Sequence, residues 1–152
     1  METRLRGLLP DGRFRDVTPE RSRHMAAIRS SNNRSTERRF RGALVRAGLR
    51  GWRLRPPGVL GHPDFLFPGA SVVVFVDGCF WHGCPRCGHV PSVRRAFWKG
   101  KIERNKERDK RTSSRLRRRS FRVVRLWEHD VQQDLSACVR RVVRALGGQG
   151  RD

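Results

Sequence analysis

Five consecutive apolar residues, at positions 72–76, are the feature that most limits how this chain can fold. A strand with one face toward solvent alternates apolar and polar residues, so an unbroken run of this length indicates a strand buried on both faces. Helices are the usual cover for such a sheet. The run leads directly into a cysteine-rich segment, VDGCFWHGCPRC, at residues 76–87. That segment therefore begins where a central strand ends, which is a common position for functional sites.

Strand patterns lie on both sides of the central run. Residues 52–55 alternate in polarity, and residues 121–127 form another strand that looks buried. Residues 64–67 and 71–76 enclose a Pro68-Gly69 turn, as in a β-hairpin. Together these segments predict a small sheet that is buried for most of its length.

Helical patterns surround the predicted strands. One helix starts at Pro19 after a capping threonine, and a second starts at Ser35-Thr36, which places Glu37 in its first turn. Residues 92–120 form a very basic helix, and an apolar stripe over residues 135–146 forms a closing helix that ends at two glycines. The fold class is therefore α/β or α+β, with a flexible basic arm at residues 1–17 and one domain at residues 18–148.

The charge of the chain is one-sided, because 35 lysines and arginines face 14 acids and give a net charge of +21. Such a charge repels itself unless a polyanion is the usual partner, so nucleic acid is the first candidate. A membrane is disfavoured because the sequence has no long apolar run or signal peptide, and a ribosomal-type basic protein is the plain alternative. A reducing cytoplasm is expected, in which the four cysteines act as metal ligands or core residues.

Three cysteines fall within nine positions of the cysteine-rich segment and supply three ligands of a tetrahedral metal site. The candidates for the fourth ligand are His82, His89, His129 and Cys138. Cys138 lies on the apolar stripe of the closing helix and is assigned to the core, whereas His129 follows a strand whose end can meet that of the central strand. We predict a closed, structural zinc site formed by Cys79, Cys84, Cys87 and His129, against the alternative of buried free thiols.

Several motifs resemble, in order, the very short patch repair (Vsr) DNA mismatch endonucleases. They are Gly61-His62-Pro63-Asp64-Phe65, Gly78-Cys79-Phe80-Trp81-His82, Phe97-Trp98, Asn105 to Asp109, and Trp127-Glu128-His129, with a similar opening helix at residues 21–28. The family has the fold of type II restriction enzymes. The resemblance therefore implies a restriction-endonuclease-like core of the PD-(D/E)xK superfamily, with a mixed sheet flanked by helices.

The resemblance also implies a magnesium site, with Asp64 and the backbone carbonyl of Val76 as ligands, since Mg²⁺ prefers oxygen donors. His82 would orient or deprotonate the attacking water, although it is also a candidate zinc ligand. Glu37 and Asp109 match acids around the family's site and would hold metal-bound waters. From local sequence alone, Asp64 equally suits a turn beside a proline, and the other two acids suit ordinary helix positions.

Asp77 departs from the family pattern, because the best-known member has an active-site histidine there. An acid at this position would bind metal directly or through water, or would change the balance of pKa values in the site. The lysine of the wider nuclease motif is absent near residues 74–77. Cys84 and His129 stand where the best-known member has a histidine and a cysteine, and each exchange keeps a zinc donor.

The aromatic residues of the motif have a role in the resemblance as well. The family inserts residues matching Phe80, Trp81 and Trp98 into the duplex at a T:G mismatch, where unstacking costs least. Ordinary core packing is the alternative. The basic helix would contact phosphates without base specificity, through Lys99, Lys101, Arg104, Lys106 and Arg108.

The resemblance implies a Mg²⁺-dependent DNA endonuclease that nicks one strand beside the thymine of a T:G mismatch and starts repair of deaminated 5-methylcytosine. The expected partner is double-stranded DNA, and the expected form is a monomer in the bacterial cytoplasm, associated with the nucleoid. Two alternatives remain open. One is a restriction-type nuclease with a fixed sequence target, and the other is a non-catalytic zinc-containing nucleic-acid-binding protein on the same scaffold.

Overall fold

A computed structural model describes residues 19–147, with side chains described at residue 20 and from residue 34 onward. The predicted arm at residues 1–17 and the C-terminal residues 148–152 lie outside the described part. The same holds for the side chains of Met25 and Ile28, which the sequence predicts to share one face of the first helix. The elements in chain order are α1 (Pro19–Arg46), β1 (Arg53–Leu54), β2 (Phe65–Phe67), β3 (Val72–Asp77), α2 (Arg95–Arg118), β4 (Arg122–Trp127), α3 (Glu128–Gln133) and α4 (Leu135–Gly147).

The four strands form one mixed sheet in the order β1-β2-β3-β4. The pairs β1–β2 and β2–β3 are antiparallel, and β3–β4 is parallel. Because α2 carries the chain back across the sheet between β3 and β4, the two strands end at the same edge. Their last pairs set Val76 beside Leu126 and Asp77 beside Trp127. The cysteine-rich segment and the segment after β4 therefore leave the sheet side by side.

Each face of the sheet is covered by helices, as the unbroken apolar run of β3 requires. On one face, Val72 and Val74 pack in a buried cluster with Phe40 and Leu44 of α1 and with Val142 of α4. The other face is smaller and packs Val73 and Phe75 against Leu116 of α2. Alternation along β3 therefore places Asp77 on the α2 side of the sheet.

The predicted strands, the hairpin and the basic helix are present in the structure, as is the closing helix. Cys138 is 1% exposed and belongs to the main core cluster, which agrees with its assignment to the core.

The predicted helix start at Ser35-Thr36 is wrong, because α1 runs unbroken over 28 residues. Serine, threonine and asparagine lower helix stability only modestly, and the segment contains no proline to break the hydrogen-bond ladder. Phe40 and Leu44, both 0% exposed, anchor the C-terminal half of α1 on the sheet. Glu37 therefore lies deep within α1 and not in the first turn of a helix.

Candidate functional site

Asp64 occupies the residue just before β2 and is held by the neighbouring strands. Its N–H donates to the carbonyl of Val74 (2.9 Å), and its Oδ2 accepts the N–H of Val76 at 2.7 Å. Burial raises the pKa of this carboxyl to about 6, against the opposing hydrogen bond from Val76, and the negative charges of Glu37 and Asp77 raise it further. A buried carboxylate crowded by other acids is a favourable place for a cation.

Glu37 reaches this region from α1 and is only 9% exposed. Both of its carboxylate oxygens accept hydrogen bonds from Nη2 of Arg55, at 2.8 and 2.7 Å. Arg55 follows β1, and its charge in turn lowers the pKa of Asp64 slightly. The ion pair thus fixes an acid of α1 beside Asp64 and compensates part of the local negative charge.

His82 lies beyond the C-terminal end of β3, the same end of the strand that Asp64 borders, and contacts α2. Its Nδ1 is 2.6 Å from Oδ2 of Asp109, a distance typical of a strong charge-assisted hydrogen bond. The same nitrogen is 3.7 Å from Oδ1 of Asp77. Both acids are largely buried, with side chains 18% and 7% exposed. The pairing with Asp109 orients the imidazole and leaves Nε2 to carry the lone pair when Nδ1 holds the proton.

Asp77 contacts Arg125, from the adjacent strand. Nη1 of Arg125 lies 3.0 Å from each oxygen of the Asp77 carboxylate. The role predicted for Asp77 as a direct or water-mediated metal ligand stays a prediction.

A cavity of about 430 Å³ opens beside these groups. Its acidic and imidazole lining consists of Asp77, His82 and Asp109, and its basic lining includes Lys106 and Arg125. A smaller cavity of about 240 Å³ is lined by Asp64 and Arg55. Asp64 and His82 therefore border different cavities. Asp77 interacts with both residues, because its negative charge raises the pKa of Asp64 and its Oδ1 lies 3.7 Å from Nδ1 of His82.

The four predicted zinc ligands come together in space. Nδ1 of His129 lies 3.3, 3.5 and 3.2 Å from the sulfur atoms of Cys79, Cys84 and Cys87, and all four ligand atoms lie within 4.8 Å of one another. Usual zinc–sulfur and zinc–nitrogen bonds in a tetrahedron separate neighbouring ligand atoms by about 3.5–3.8 Å. The cluster fits a metal ion of that kind.

The local chemistry of the cluster also suits a metal. Burial raises the pKa of the Cys79 thiol to about 12, whereas at Cys84 burial is opposed by the hydrogen bonds from the N–H groups of Cys87 and Arg86 and the pKa is lowered, which favours a thiolate at Cys84. Gly88 permits the tight turn, since a Cβ there would stand 2.5 Å from the carbonyl oxygen of Cys84. Nε2 of His129 pairs with Oδ1 of Asp130 at 3.0 Å, so Nδ1 is the nitrogen presented to the sulfurs.

The aromatic residues that follow Cys79 form a cluster with α2. The ring of Phe80 lies 4.9 Å from that of Trp81 and 5.6 Å from that of Trp98, measured between centroids. All three are partly exposed. Nδ2 of Asn105 donates to the backbone carbonyl of Trp81 at 2.9 Å and ties the loop to α2. The cluster therefore stands at the surface on a loop fixed from two sides.

The basic residues predicted to contact the DNA backbone are spread around α2. Lys99, Arg104, Lys106 and Arg108 are exposed. Lys101 is partly buried, with Nζ 5.2 Å from the ring centroid of Trp81. Helical geometry puts Lys106 on the side of the 430 Å³ cavity and Lys101 on the side of the aromatic cluster.

Comparison with known proteins identifies relatives of this chain. The family model described as DNA mismatch endonuclease Vsr matches residues 16–87. The DNA mismatch endonuclease Vsr of Escherichia coli is 38% identical over 110 residues, which cover 71% of this chain and 69% of the relative. The type II nicking enzyme V.NaeI of Lentzea aerocolonigenes is 42% identical over 123 residues, covering 78% and 74%. The chain belongs to the Vsr DNA mismatch endonuclease family.

A second nicking enzyme is similar to this Vsr-family protein over an even larger part of its length. The type II nicking enzyme V.XorIIP of Xanthomonas oryzae is 40% identical over 133 residues, covering 86% of this chain and 95% of the relative. Family membership confirms the resemblance and the restriction-endonuclease-like fold class, and it makes the protein a DNA endonuclease whose partner is DNA. Among residues 19–147 of this Vsr protein, none of the helices has the length and apolarity needed to cross a bilayer.

Several contacts in the Vsr site involve residues that the sequence did not single out. Arg55 holds Glu37, Arg125 holds Asp77, and Asp130 holds His129. Arg125 could have been noticed in the sequence, since it is a charged residue inside the apolar strand FRVVRLW. Asp130 could also have been noticed, because it is an acid next to a proposed histidine ligand. Arg55 is one of many arginines, and nothing in the local sequence distinguishes it.

Proposed function

We propose that this protein nicks one strand of double-stranded DNA next to the thymine of a T:G mismatch, with Mg²⁺ as the catalytic cation and Zn²⁺ as the structural one. The observation that carries the proposal is the arrangement at the end of β3. There, Asp64 is hydrogen-bonded to Val76, and the chain continues through Asp77 into the aromatic residues and His82. The residues that we propose to bind the cation, to activate water and to wedge into the duplex thus belong to one short segment and its neighbours.

Asp64 and the carbonyl of Val76 would hold the magnesium ion. The residues present fit it, because the carboxylate is buried and the nearby charges of Glu37 and Asp77 raise its pKa. When bound, the cation supplies positive charge that stabilises the developing charge on the phosphate and on the leaving oxygen. Glu37 and Asp109 would hold water molecules around the site.

His82 is the proton acceptor in this mechanism. Asp109 fixes the imidazole through Nδ1, so Nε2 is the atom that takes a proton from the attacking water. The water oxygen forms a bond to phosphorus as the bond from phosphorus to the sugar oxygen breaks, and the released sugar oxygen takes up a proton from solvent water. Asp109 then stabilises the imidazolium, as a carboxylate paired with a catalytic histidine does.

The aromatic cluster provides mismatch selectivity in the proposal. Phe80, Trp81 and Trp98 would enter the duplex beside the mismatch, where unpairing and unstacking cost least. The zinc cluster keeps the loop that carries Phe80 and Trp81 rigid, which lowers the entropy lost on binding. The basic residues of α2 would contact phosphates on either side.

A second candidate is a nicking enzyme that depends on a fixed flanking sequence, and the names of the relatives V.NaeI and V.XorIIP favour it. The two candidates differ in the kind of interaction that selects the DNA site. Dependence on flanking sequence would reside in base contacts, whereas mismatch dependence would reside in the cost of unstacking.

The test is a nicking assay on end-labelled duplexes in Mg²⁺, using a panel of flanking sequences with and without a T:G pair. The proposal expects one labelled strand to be cut beside the thymine, only in mismatched duplexes. If perfectly paired duplexes of one sequence context were cut as fast as mismatched ones, the result would instead support the fixed-sequence enzyme. Binding without cutting, unchanged by Asp64→Ala, would support the non-catalytic alternative.

We further infer a monomer that acts in the bacterial cytoplasm on nucleoid DNA. The site residues Asp64, His82 and Asp109 all come from one chain, and the relatives named above are bacterial. Light scattering coupled to gel filtration should give a mass near 17.6 kDa. A dimer mass would contradict the monomer and leave the nicking proposal standing.

A further inference from the structure

Arg125 lies on a covered face of the sheet, where burying a charged side chain costs free energy. It occupies the α2-facing side of β4 and pairs in register with Phe75 of β3. Its side chain is only 23% exposed. A guanidinium that is this buried is stabilised only where its donors are used.

The donors of Arg125 are distributed over two elements. Nη1 contacts both oxygens of Asp77 at 3.0 Å, and Nε donates to Oγ of Ser113 at 2.9 Å. Nη2 donates to the backbone carbonyl of Asp109 at 3.4 Å. The guanidinium carbon also stands 4.2 Å from the ring centroid of Phe75. The planar fork of arginine can make these contacts at once, and the single ammonium of lysine cannot.

The two acids that Arg125 contacts compete for one atom. Nδ1 of His82 is 2.6 Å from Asp109 and 3.7 Å from Asp77. Asp77 is 5% exposed, so without its arginine it would be a buried, uncompensated carboxylate next to an imidazole. An imidazole N–H is the nearest donor that could satisfy it. Arg125 therefore influences which of the two acids forms the hydrogen bond with Nδ1 of His82.

We propose that Arg125 is a positioning residue for His82. It saturates the Asp77 carboxylate and fixes Asp109 through the backbone of α2, so that Nδ1 of His82 bonds to Asp109 and Nε2 is oriented for its task. In this arrangement Asp77 serves as the partner of Arg125. The inference rests on the function proposed above for His82.

The experiment is a double-variant cycle on the full-length protein, using Arg125→Met, Asp77→Asn and the combination. Arg125→Met should lower kcat for nicking by about ten- to a hundredfold, with KM for DNA changed less than about twofold. Adding Asp77→Asn should recover a large part of that loss, because it removes the orphaned charge. The kcat of Arg125→Lys should stay below that of the double variant. Arg122→Met is the matched control, because this arginine of the same strand bonds to Ala145 away from the site, and it should leave kcat within about twofold.

A second readout does not need nuclease activity. Nitrogen-15 NMR of the histidine rings reports the hydrogen-bonded Nδ1 of His82, and we expect its signal to shift in Arg125→Met and to return toward the wild-type position in the double variant. An unchanged ring signal in Arg125→Met, or losses of kcat that simply multiply in the double variant, would overturn the inference. If Arg125→Met does not fold, Arg125→Lys must shift the ring signal, and an unshifted signal overturns the proposal.

The two proposals fail differently. If the wild-type protein does not nick T:G duplexes, the function proposed above fails, and the ring signals still decide whether Arg125 orients His82. If Asp64→Asn abolishes nicking while Arg125→Met leaves both kcat and the ring signal unchanged, only the role of Arg125 is refuted.

Discussion

The Oδ2 atom of Asp64 and the backbone N–H of Val76 are joined by a 2.7 Å hydrogen bond across the β2–β3 hairpin. This bond holds the proposed magnesium-binding carboxylate at the point where the central strand ends. Burial nevertheless raises the pKa of Asp64 to about 6. The protein keeps a carboxylate in a place that costs folding free energy, which is typical of a functional site.

Replacing Asp64 by Asn should abolish nicking and stabilise the metal-free protein at pH 7–8. A raised pKa means that the folded state binds the proton more tightly than the unfolded state, so the favourable contribution of Asp64 is complete below about pH 4 and is lost as the pH rises through about 6. Asparagine has no such dependence, and we expect the variant to gain roughly 1–3 kcal/mol at pH 8.

Chemical denaturation at pH 8 and pH 4 measures the Asp64 effect, and the two proteins should converge at the lower pH. Mg²⁺ should raise the melting temperature of the wild type at pH 8 but less at pH 5, where the carboxyl is largely protonated. The variant should show no response at either pH. Equal stability of both proteins at pH 8 would contradict the buried-charge argument.

Replacing His82 by Ala should lower the nicking rate by about 10²–10⁴-fold, the usual contribution of a general base. Asp109→Asn should lower it by a smaller factor, because the imidazole remains but loses its anionic partner. Single-turnover kinetics measures both effects, with DNA affinity from fluorescence anisotropy as the control. The two losses should not multiply in the double variant, since the residues act as one unit. Fully multiplicative losses would show that they act separately.

The cysteine cluster should contain one zinc ion per chain, and Asp130→Ala should weaken its binding by about 10–100-fold. The reason is that Asp130 fixes the His129 ring with Nδ1 toward the sulfurs. Competition with a chromophoric chelator measures the affinity. Cys138→Ala is the matched control, because that cysteine is buried in the core and should leave zinc content unchanged. Equal zinc loss in both variants would indicate general destabilisation.

Replacing Trp81 by Ala should reduce the preference for mismatched over matched DNA by about tenfold, since stacking of a base on an aromatic ring contributes roughly 1–3 kcal/mol. Lys99→Ala is the comparison, because loss of a phosphate contact weakens binding to all duplexes alike. Binding titrations with T:G and T:A duplexes measure the ratio. A change of selectivity in Lys99→Ala but not in Trp81→Ala would place mismatch recognition elsewhere.

Much of the fold could be predicted from local sequence. The apolar run of β3, the Pro68-Gly69 turn and the apolar stripe of α4 act through near neighbours, and the structure has the corresponding elements. The break predicted at Ser35-Thr36 failed because weak helix formers do not end a helix that Phe40 and Leu44 anchor to the core. The propensity of single residues was outweighed by packing.

The sequence by itself determined which ligand types, acids and aromatic residues the site contains, since spacing and residue chemistry are written in the chain. Only the tertiary structure decided their partners. The parallel pairing of β3 with β4 brings His129 to the cysteines and Arg125 to Asp77, across separations of 42 to 50 residues. Such contacts arise because two strands end at one edge of a sheet, and no local pattern specifies which of many arginines will meet a buried acid there.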